Sequence, residues 1–315
     1  MTDLLQRVQG EGLLVPGRPV VVLYSGGRDS TCLLDLAVRI SGPERVDALH
    51  VNYGLREAAD DDERHCREFC GRLGVALEVR RPHRPETGNL QAWARDQRYA
   101  AAAEIALRRA AAVAAGHTAT DQVETILYRL ASSPSRRALQ GMRPRDGLLI
   151  RPLLEFTRAE TTAHCQARGL TWREDESNDR DDFARNRIRH RLVVALEAAH
   201  PAAQANVLAL AEILRQEGAV LDQLVDSVLG DRNEIALARL RELAPALRRL
   251  VVQRLADAAV GGPAAGAGRR ADEIAAMSDT GTAALDLPHG VRVTATAGVV
   301  RFGRTPHARS YTQSP

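Results

Sequence analysis

Six consecutive residues, Ser25-Gly26-Gly27-Arg28-Asp29-Ser30, put two glycines, two hydroxyls and a carboxylate where an apolar run gives way to a helical stretch. Glycines at such a point let backbone N–H groups close on an anion, the hydroxyls add donors, and the following helix turns its positive end inward. An ordinary glycine turn with serine caps is the alternative. Asp121 and Glu124 lie three residues apart at an expected helix start. Aspartate at the N-cap with glutamate at N3 would be a capping box, but carboxylates there also face the crevice at the carboxyl edge of a parallel sheet. His117, just before them, is either a buried hydrogen-bonded histidine or a group at the site. Arg185, Arg187, Arg189 and Arg191, with His190 and Asn186 among them, form the densest basic segment. Such a run is a solvated face or a contact for a polyanion.

Alternating strand and helix signals must position these groups. Val20 to Tyr24, Val46 to Val51, Val75 to Val79 and Ala111 to Ala115 are short β-type runs. Helical patterns over Thr31 to Ile40, Glu57 to Leu73, Ala92 to Arg109 and Asp121 to Leu130 separate or follow them. The pattern predicts an α/β fold, a parallel sheet with helices on both faces. Helix then dominates from Arg185, including Ala202 to Glu217 and Ile235 to Ala258, and the expected domain boundary lies near residue 200. Residues 261–268 have the composition of a flexible connector. Ala284 to Leu287 and Val291 to Phe302 suggest a small β element, and the last dozen residues a frayed tail.

At 315 residues the chain is long enough for two domains. All 43 of its basic residues are arginine, against 40 acidic ones. Lacking lysine, it cannot use a Walker-type phosphate lysine or a Schiff base, so phosphate chemistry falls to backbone N–H groups, arginine, hydroxyls and metal. Aromatics at 3% argue against an aromatic-lined single-strand surface. The four cysteines form no CxxC pair, and no run approaches the roughly 18 apolar residues of a membrane span. A cytoplasmic protein with reduced cysteines and no membrane partner is expected.

The segment SGGxDS after a first strand resembles the pyrophosphate loop of the N-type ATP pyrophosphatases, the PP-loop superfamily. Within it, His50-Val-Asn52-Tyr-Gly-Leu-Arg56, Asn89-Leu-Gln-Ala-Trp-Ala-Arg95, Ala115-Gly-His117-Thr-Ala-Thr-Asp-Gln-Val-Glu-Thr125 and Arg151-Pro-Leu-Leu154 are similar to motifs of the tRNA(Ile)-lysidine synthase family. Glu174-Asp-Glu-Ser-Asn178 and Arg185-Asn-Arg-Ile-Arg-His190 continue the series in the same order. The chain departs from that pattern at Tyr53, Thr118 and Thr120, and in Ser132 to Arg137 where glycines are usual.

The resemblance implies a catalytic domain over residues 1–200 and a mainly helical tRNA-binding domain with a short strand pair over 201–315, a short form of the family. It implies ATP and Mg2+ as cofactors and a wobble cytidine of an isoleucine tRNA adenylated and then joined to free L-lysine. Ser25 to Ser30, His50 and Asn52 would bind the nucleotide. Asp29, Arg95 and His117 would act in catalysis, with Asp29 and Asp121 near the metal. Asp121 and Glu124 would receive the lysine, and Asn186, Arg185, Arg187 and Arg189 the tRNA. A homodimer is among the expected assemblies. A PP-loop tRNA thiolase, or a non-catalytic RNA-binding relative, remain the alternatives; the missing CxxC pairs argue against the first.

Overall fold

A computed structural model describes residues 3–54, 58–85, 87–133, 135–174 and 184–306. Two compact units divide it, one up to Leu214 and one from Arg215. In the first, α1 (Leu4–Gly10) precedes β1 (Val20–Leu23), α2 (Arg28–Ser41), β2 (Val46–Val51), α3 (Ala59–Leu73), β3 (Ala76–Arg80), α4 (Leu90–Arg109) and β4 (Ala112–Ala114). There follow α5 (Ala119–Ser132), α6 (Arg136–Leu139), β5 (Arg145–Asp146), β6 (Leu149–Ile150) and α7 (Arg158–Ala167). After the undescribed residues come α8 (Ala184–Arg187), a π-helical turn at Ile188–Val193, α9 (Val194–Ala199) and α10 (Ala203–Leu229). The expected boundary near residue 200 lies at the turn before α10, and the division by packing falls inside that helix.

The six strands run in the order β3-β2-β1-β4-β6-β5. All pair in parallel except β5, which closes one edge as a hairpin with β6. Every residue of β1 is buried, so alternate side chains supply both faces of the sheet. Val20 and Val22 join Leu33, Leu36 and Phe69 on one face. Val21 and Leu23 meet Ile105 and Ala106 of α4 on the other. Strand order reverses direction between β1 and β4, and at such a switch point an open α/β sheet leaves a crevice beyond its carboxyl ends.

The second unit corrects three expectations. Ile235 to Ala258 is not one helix but β7 (Glu234–Ala236), α11 (Leu237–Glu242) and α12 (Pro245–Val260). Pro245 enforces the break: Leu243 and Ala244 before it are extended, at ψ 139° and 144°. Residues 261–268 are not a free connector. Gly261 ends α12 in the left-handed conformation, and Ala264 and Ala267 are fully buried. A Cβ at Gly268 would lie 2.7 Å from the Arg249 carbonyl, so the glycine is needed for close packing. After the short α13 (Ala271–Ala275), the β element is larger than a pair: β8 (Thr282–Leu287), β9 (Val291–Thr296) and β10 (Val299–Arg304) join β7 in an antiparallel sheet of order β7-β10-β9-β8. Ala297 and Gly298, both at positive φ, make the two-residue turn between β9 and β10. Of the expected frayed tail, Arg304 is instead the last residue of β10, and residues 307–315 lie outside the described residues. Among the described residues no helix is long and apolar enough to cross a membrane.

Candidate active site at the carboxyl edge of the sheet

Neighbours crowd the Ser25 to Ser30 loop so closely that Gly26 is required. Gly26 sits at φ +82°, and a Cβ there would come within 3.0 Å of Cys66 Sγ on α3. Its carbonyl accepts from the Arg173 N–H at 2.9 Å. Gly116, in the turn after β4, approaches from the other side, where a Cβ would meet the Asp29 carbonyl at 3.1 Å and Ser30 N at 3.2 Å. Ser30 Oγ donates to the Gly27 carbonyl at 2.8 Å, and the Ser25 and Ser30 hydroxyls are 3.1 Å apart. Gly27 is the N-cap of α2 and supplies no side-chain cap, so the helix presents its first-turn N–H groups and dipole at a rigid loop. That cradle fits the phosphates of a nucleotide.

Asp29 lies at the mouth of the loop with 18% of its side chain exposed. Oδ1 accepts from Thr161 Oγ1 of α7 at 2.6 Å and from Arg28 Nε at 3.2 Å. Oδ2 has only longer contacts, 3.4 Å to Arg28 Nη2 and 3.9 Å to Arg158 Nε. Mg2+ is commonly held by one or two carboxylates together with phosphate oxygens and water, and Asp29 Oδ2 suits that arrangement. Among the described residues no cluster of three metal-ligating side chains exists.

Arg158, the first residue of α7, stands between Asp29 and Asp121, its Nη2 3.8 Å from Asp121 Oδ1. Burial, with the Arg189 charge adding to it, lowers its pKa, while Asp121, Asp29 and Glu124 oppose the shift. Its buried Nε has no hydrogen-bond partner among the described residues. The two carboxylates expected around a metal thus also flank one guanidinium.

The start of α5 also differs from expectation. The N-cap is Thr118, one of the departures from the family pattern, and the N3 residue closing the capping box is Asp121. Asp121 Oδ2 accepts from Thr118 N at 2.8 Å and Thr118 Oγ1 at 3.0 Å. Glu124, one turn further, is fully buried and holds Arg189 through two hydrogen bonds, 2.6 Å to Oε1 and 3.1 Å to Oε2. Burial alone would lower the Arg189 pKa; the hydrogen bonds and charge of Glu124 outweigh it and raise the value. Arg189, expected on the tRNA side, is therefore turned inward by the π-helical turn, as the counter-ion of the residue expected to receive lysine. The reason is tertiary: a carboxylate without solvent must find a cation, and the fold delivers Arg189 to it.

The remaining expected residues spread more widely. His50 is buried, with Nδ1 3.0 Å from the Tyr24 carbonyl; burial lowers its pKa. Asn52 Nδ2 donates to Asp60 and Glu63 and its Oδ1 accepts from the Gly54 N–H, so its polar groups hold the loop after β2. His117 is half-buried between β4 and α5. Arg95 is exposed on α4, its guanidinium 4.9 Å from the Tyr99 ring centre. Asn186 is buried and Arg187 exposed. The Arg185 side chain, Arg56 and residues 175–183, which include Asp175 to Asn178, lie outside what is described.

Nothing in the sequence singles out Arg158 and Thr161 as site residues. Thr157-Arg-Ala-Glu160 is a readable capping box, and it forms, but nothing local says that its second residue and the threonine after it face Asp29.

A PP-loop domain model matches residues 3–196. A tRNA(Ile)-lysidine synthase of Symbiobacterium thermophilum is 35% identical over 342 aligned positions, covering 96% of this chain and 69% of that protein. One from Pseudomonas fluorescens is 38% identical over 210, covering 64% of this chain and 47% of its own length. One from Thermus thermophilus is 35% identical over 255, covering 78% and 50%. The chain thus spans from about half to 69% of the length of these relatives. Among solved structures, the U34-tRNA thiolase NcsA from Methanococcus maripaludis, with its [4Fe-4S] cluster, superposes with TM-score 0.55 at 16% identity, covering 67% of this chain and 78% of that one. That likeness is one of fold. By the domain match and by the coverage and identity of its relatives, the chain belongs to the tRNA(Ile)-lysidine synthase family of PP-loop proteins.

Proposed function

We propose that the protein is an ATP-dependent ligase that attaches lysine to carbon 2 of the wobble cytidine of an isoleucine tRNA. The observation that carries this is the junction at the β1/β4 switch point. There Asp29 of the phosphate loop and Asp121, one turn before Glu124, stand on either side of one guanidinium, that of Arg158. A site for phosphate transfer and a site for an amine must adjoin if one base is to be activated and then aminated.

The backbone N–H groups of the loop hold the pyrophosphate end of ATP, leaving the α-phosphorus open. Cytidine O2 attacks it; the new O–P bond forms as the bond to pyrophosphate breaks. Arg158 offsets the negative charge that develops beside Asp29. The lysine ε-amine then attacks carbon 2, loses a proton, and displaces AMP. Mg2+, held by Asp29, would supply further charge neutralisation at the phosphates. Acting on a ring atom requires the base to leave its stack. Thiolase chemistry is disfavoured by the cysteines: all four are buried, and burial pushes the Cys70 thiol up to about 12 and Cys66 higher still, far from a reactive thiolate.

The test is pyrophosphate release, which should require the tRNA, with lysidine formed only when lysine is added. Asp29→Ala should fold and lose at least a hundredfold in pyrophosphate release, on the order expected for removing a charge-stabilising group. Near-normal turnover by that variant, or release indifferent to the tRNA, would defeat the proposal.

A further inference from the structure

A second set of arginines lies at the carboxyl edge of the same sheet, and among the described residues it has no ion pairs of the kind that surround Arg158. Arg95, Arg98 and Tyr99 come from the N-terminal half of α4, Arg129 from the end of α5, and Arg151 follows directly on β6. The Arg95 and Arg98 guanidinium groups lie 4.9 and 5.4 Å from the centre of the Tyr99 ring. Tyr53 donates its hydroxyl to the Ala94 carbonyl at 2.8 Å and meets Trp93 edge-on at 5.7 Å. A chain poor in aromatics thus gathers two tyrosines and a tryptophan beside two arginines of α4.

Buried polar atoms in this cluster are left without partners. Arg98 Nε, Arg151 Nε and the Tyr99 hydroxyl are all buried and have no hydrogen-bond partner among the described residues. The Arg151 side chain is only 5% exposed and spends Nη1 on the Arg143 carbonyl. Arg129 spends Nη1 on the Gly141 carbonyl. Both are held by neutral oxygens. Burial lowers the Arg129 pKa and Arg95 adds to the effect; burial likewise lowers that of Arg151, with Arg95 and Arg129 adding to it while Tyr99 and Asp146 oppose. Like charges gathered with unmet donors are costly unless an anion completes them.

We propose that Arg98, Arg129, Arg151 and the Tyr99 hydroxyl form a seat for one phosphodiester of the RNA substrate, separate from the loop that holds ATP, with Tyr53 and Trp93 beside it as apolar surface for an unstacked nucleotide. Guanidinium forks with a neighbouring phenol match the tetrahedral oxygens of a phosphate, and aromatic rings beside a phosphate site suit a single-stranded loop more than a duplex. The shared chemistry is a phosphate group, which the triphosphate of ATP could also supply. The proposal commits to RNA because the ATP cradle is already built, from Gly26, Gly27 and Gly116, without these residues. It rests on RNA being the substrate, as proposed above.

The experiment uses the full chain and two separate ligands. A labelled anticodon stem-loop is titrated by fluorescence anisotropy between 50 and 200 mM salt, and α,β-methylene ATP is titrated by calorimetry without RNA. Arg98→Gln and Arg129→Gln should each weaken RNA binding roughly tenfold and lower the log–log salt slope by roughly 0.7 to 0.9. Arg98→Lys, which keeps the charge, should retain the slope. ATP affinity should stay within about twofold in all three, and thermal melts confirm folding. A fall in ATP affinity with RNA binding unchanged would hand the cluster to the nucleotide and overturn the proposal. Equal loss of both would make it a general cation field, and no change in either a structural one; each overturns it. Wild-type protein that bound no RNA would sink the modification proposal and this site with it, whereas wild-type binding that the variants preserve sinks only this site.

Discussion

Two arginine-rich regions share the carboxyl edge of one sheet and solve the same electrostatic problem in opposite ways. Around the phosphate loop the charges alternate: Asp29, Arg158, Asp121, Arg189 and Glu124 each lie within 4 Å of a neighbour of opposite sign. Around Tyr99 the arginines meet carbonyls and aromatic rings instead, and donors stay unmet. The difference teaches that burial of arginine is by itself no sign of a ligand. A guanidinium paired with a buried carboxylate has its partner inside the protein and serves to hold geometry. One left among its own kind keeps its attraction for an anion from outside.

That contrast can be broken most forcefully at Glu124. Replacing it by glutamine leaves the half-buried Arg189 opposite a neutral amide, with Asp121 at 3.8 Å as its remaining counter-charge, and breaking a buried pair from one side costs up to about 3 to 5 kcal/mol. The melting temperature should fall by roughly 10 °C. Adding Arg189→Gln in the same chain should recover much of the loss, because the stranded charge is gone. Arg98→Gln should melt no lower than the wild type, since it removes one of several like charges. If Glu124→Gln melts unchanged, or Arg98→Gln melts as low, the two regions do not differ as described. The structure also alters what Glu124 can mean for lysine: the amine would have to share or displace Arg189, so a lysine effect of Glu124→Gln need not report direct contact. Lysine titration of Arg189→Gln alongside it separates the two.

A smaller effect sharpens the positioning claim. Thr161→Val deletes the 2.6 Å hydrogen bond to Asp29 while keeping the shape of the side chain. A hydrogen bond to a charged group is worth about 1.5 to 3 kcal/mol, so pyrophosphate release should slow roughly tenfold to a hundredfold. Thr161→Ser should restore most of it. Valine turnover equal to wild type would show that Asp29 is held without α7.

The smallest expected effect is a slope in acid. Asp35 on α2 and His164 on α7 are both buried and 2.8 Å apart, with Arg168 at 3.5 Å. Burial would raise the Asp35 pKa, but the His164 hydrogen bond and the Arg168 charge outweigh it, and the net shift is downward. A depressed carboxylate pKa gives stability that is present above the unfolded value of about 3.9 and lost as pH falls through the lower folded value. Denaturant melts should therefore show wild type losing stability below about pH 4 more steeply than Asp35→Asn. Parallel profiles would show that the Asp35 contacts to His164 and Arg168 do not stabilise the packing of α2 on α7.

Much of this site was legible because its logic is local. Glycines followed by hydroxyls between a β-branched run and a helix can be recognised from adjacent residues, since the backbone conformation they allow is a property of those residues themselves. The parallel sheet followed from alternating periodicity, and the break before Pro245 was available from the same kind of rule, though the apolar period of the flanking helices masked it. Residues 261–268 misled because small residues signal flexibility in water and close packing against a helix alike; only the Arg249 carbonyl beside Gly268 decides between them.

The sequence by itself determined which groups were present and which short stretches could cradle an anion or cap a helix. Tertiary structure decided which charges neutralise one another. Glu124 and Arg189 are 65 residues apart, and Thr161 is 132 from Asp29. Nothing in either neighbourhood encodes the partner, because the strength of a charge pair depends on distance and local dielectric, and both are set only when the sheet brings α5, α7 and the π-helical turn together. The same holds for Arg98, Arg129 and Arg151. In the sequence they are three arginines among 43, and only the folded edge shows that none of them is in an ion pair among the described residues, Asp146 acting on Arg151 only from a distance.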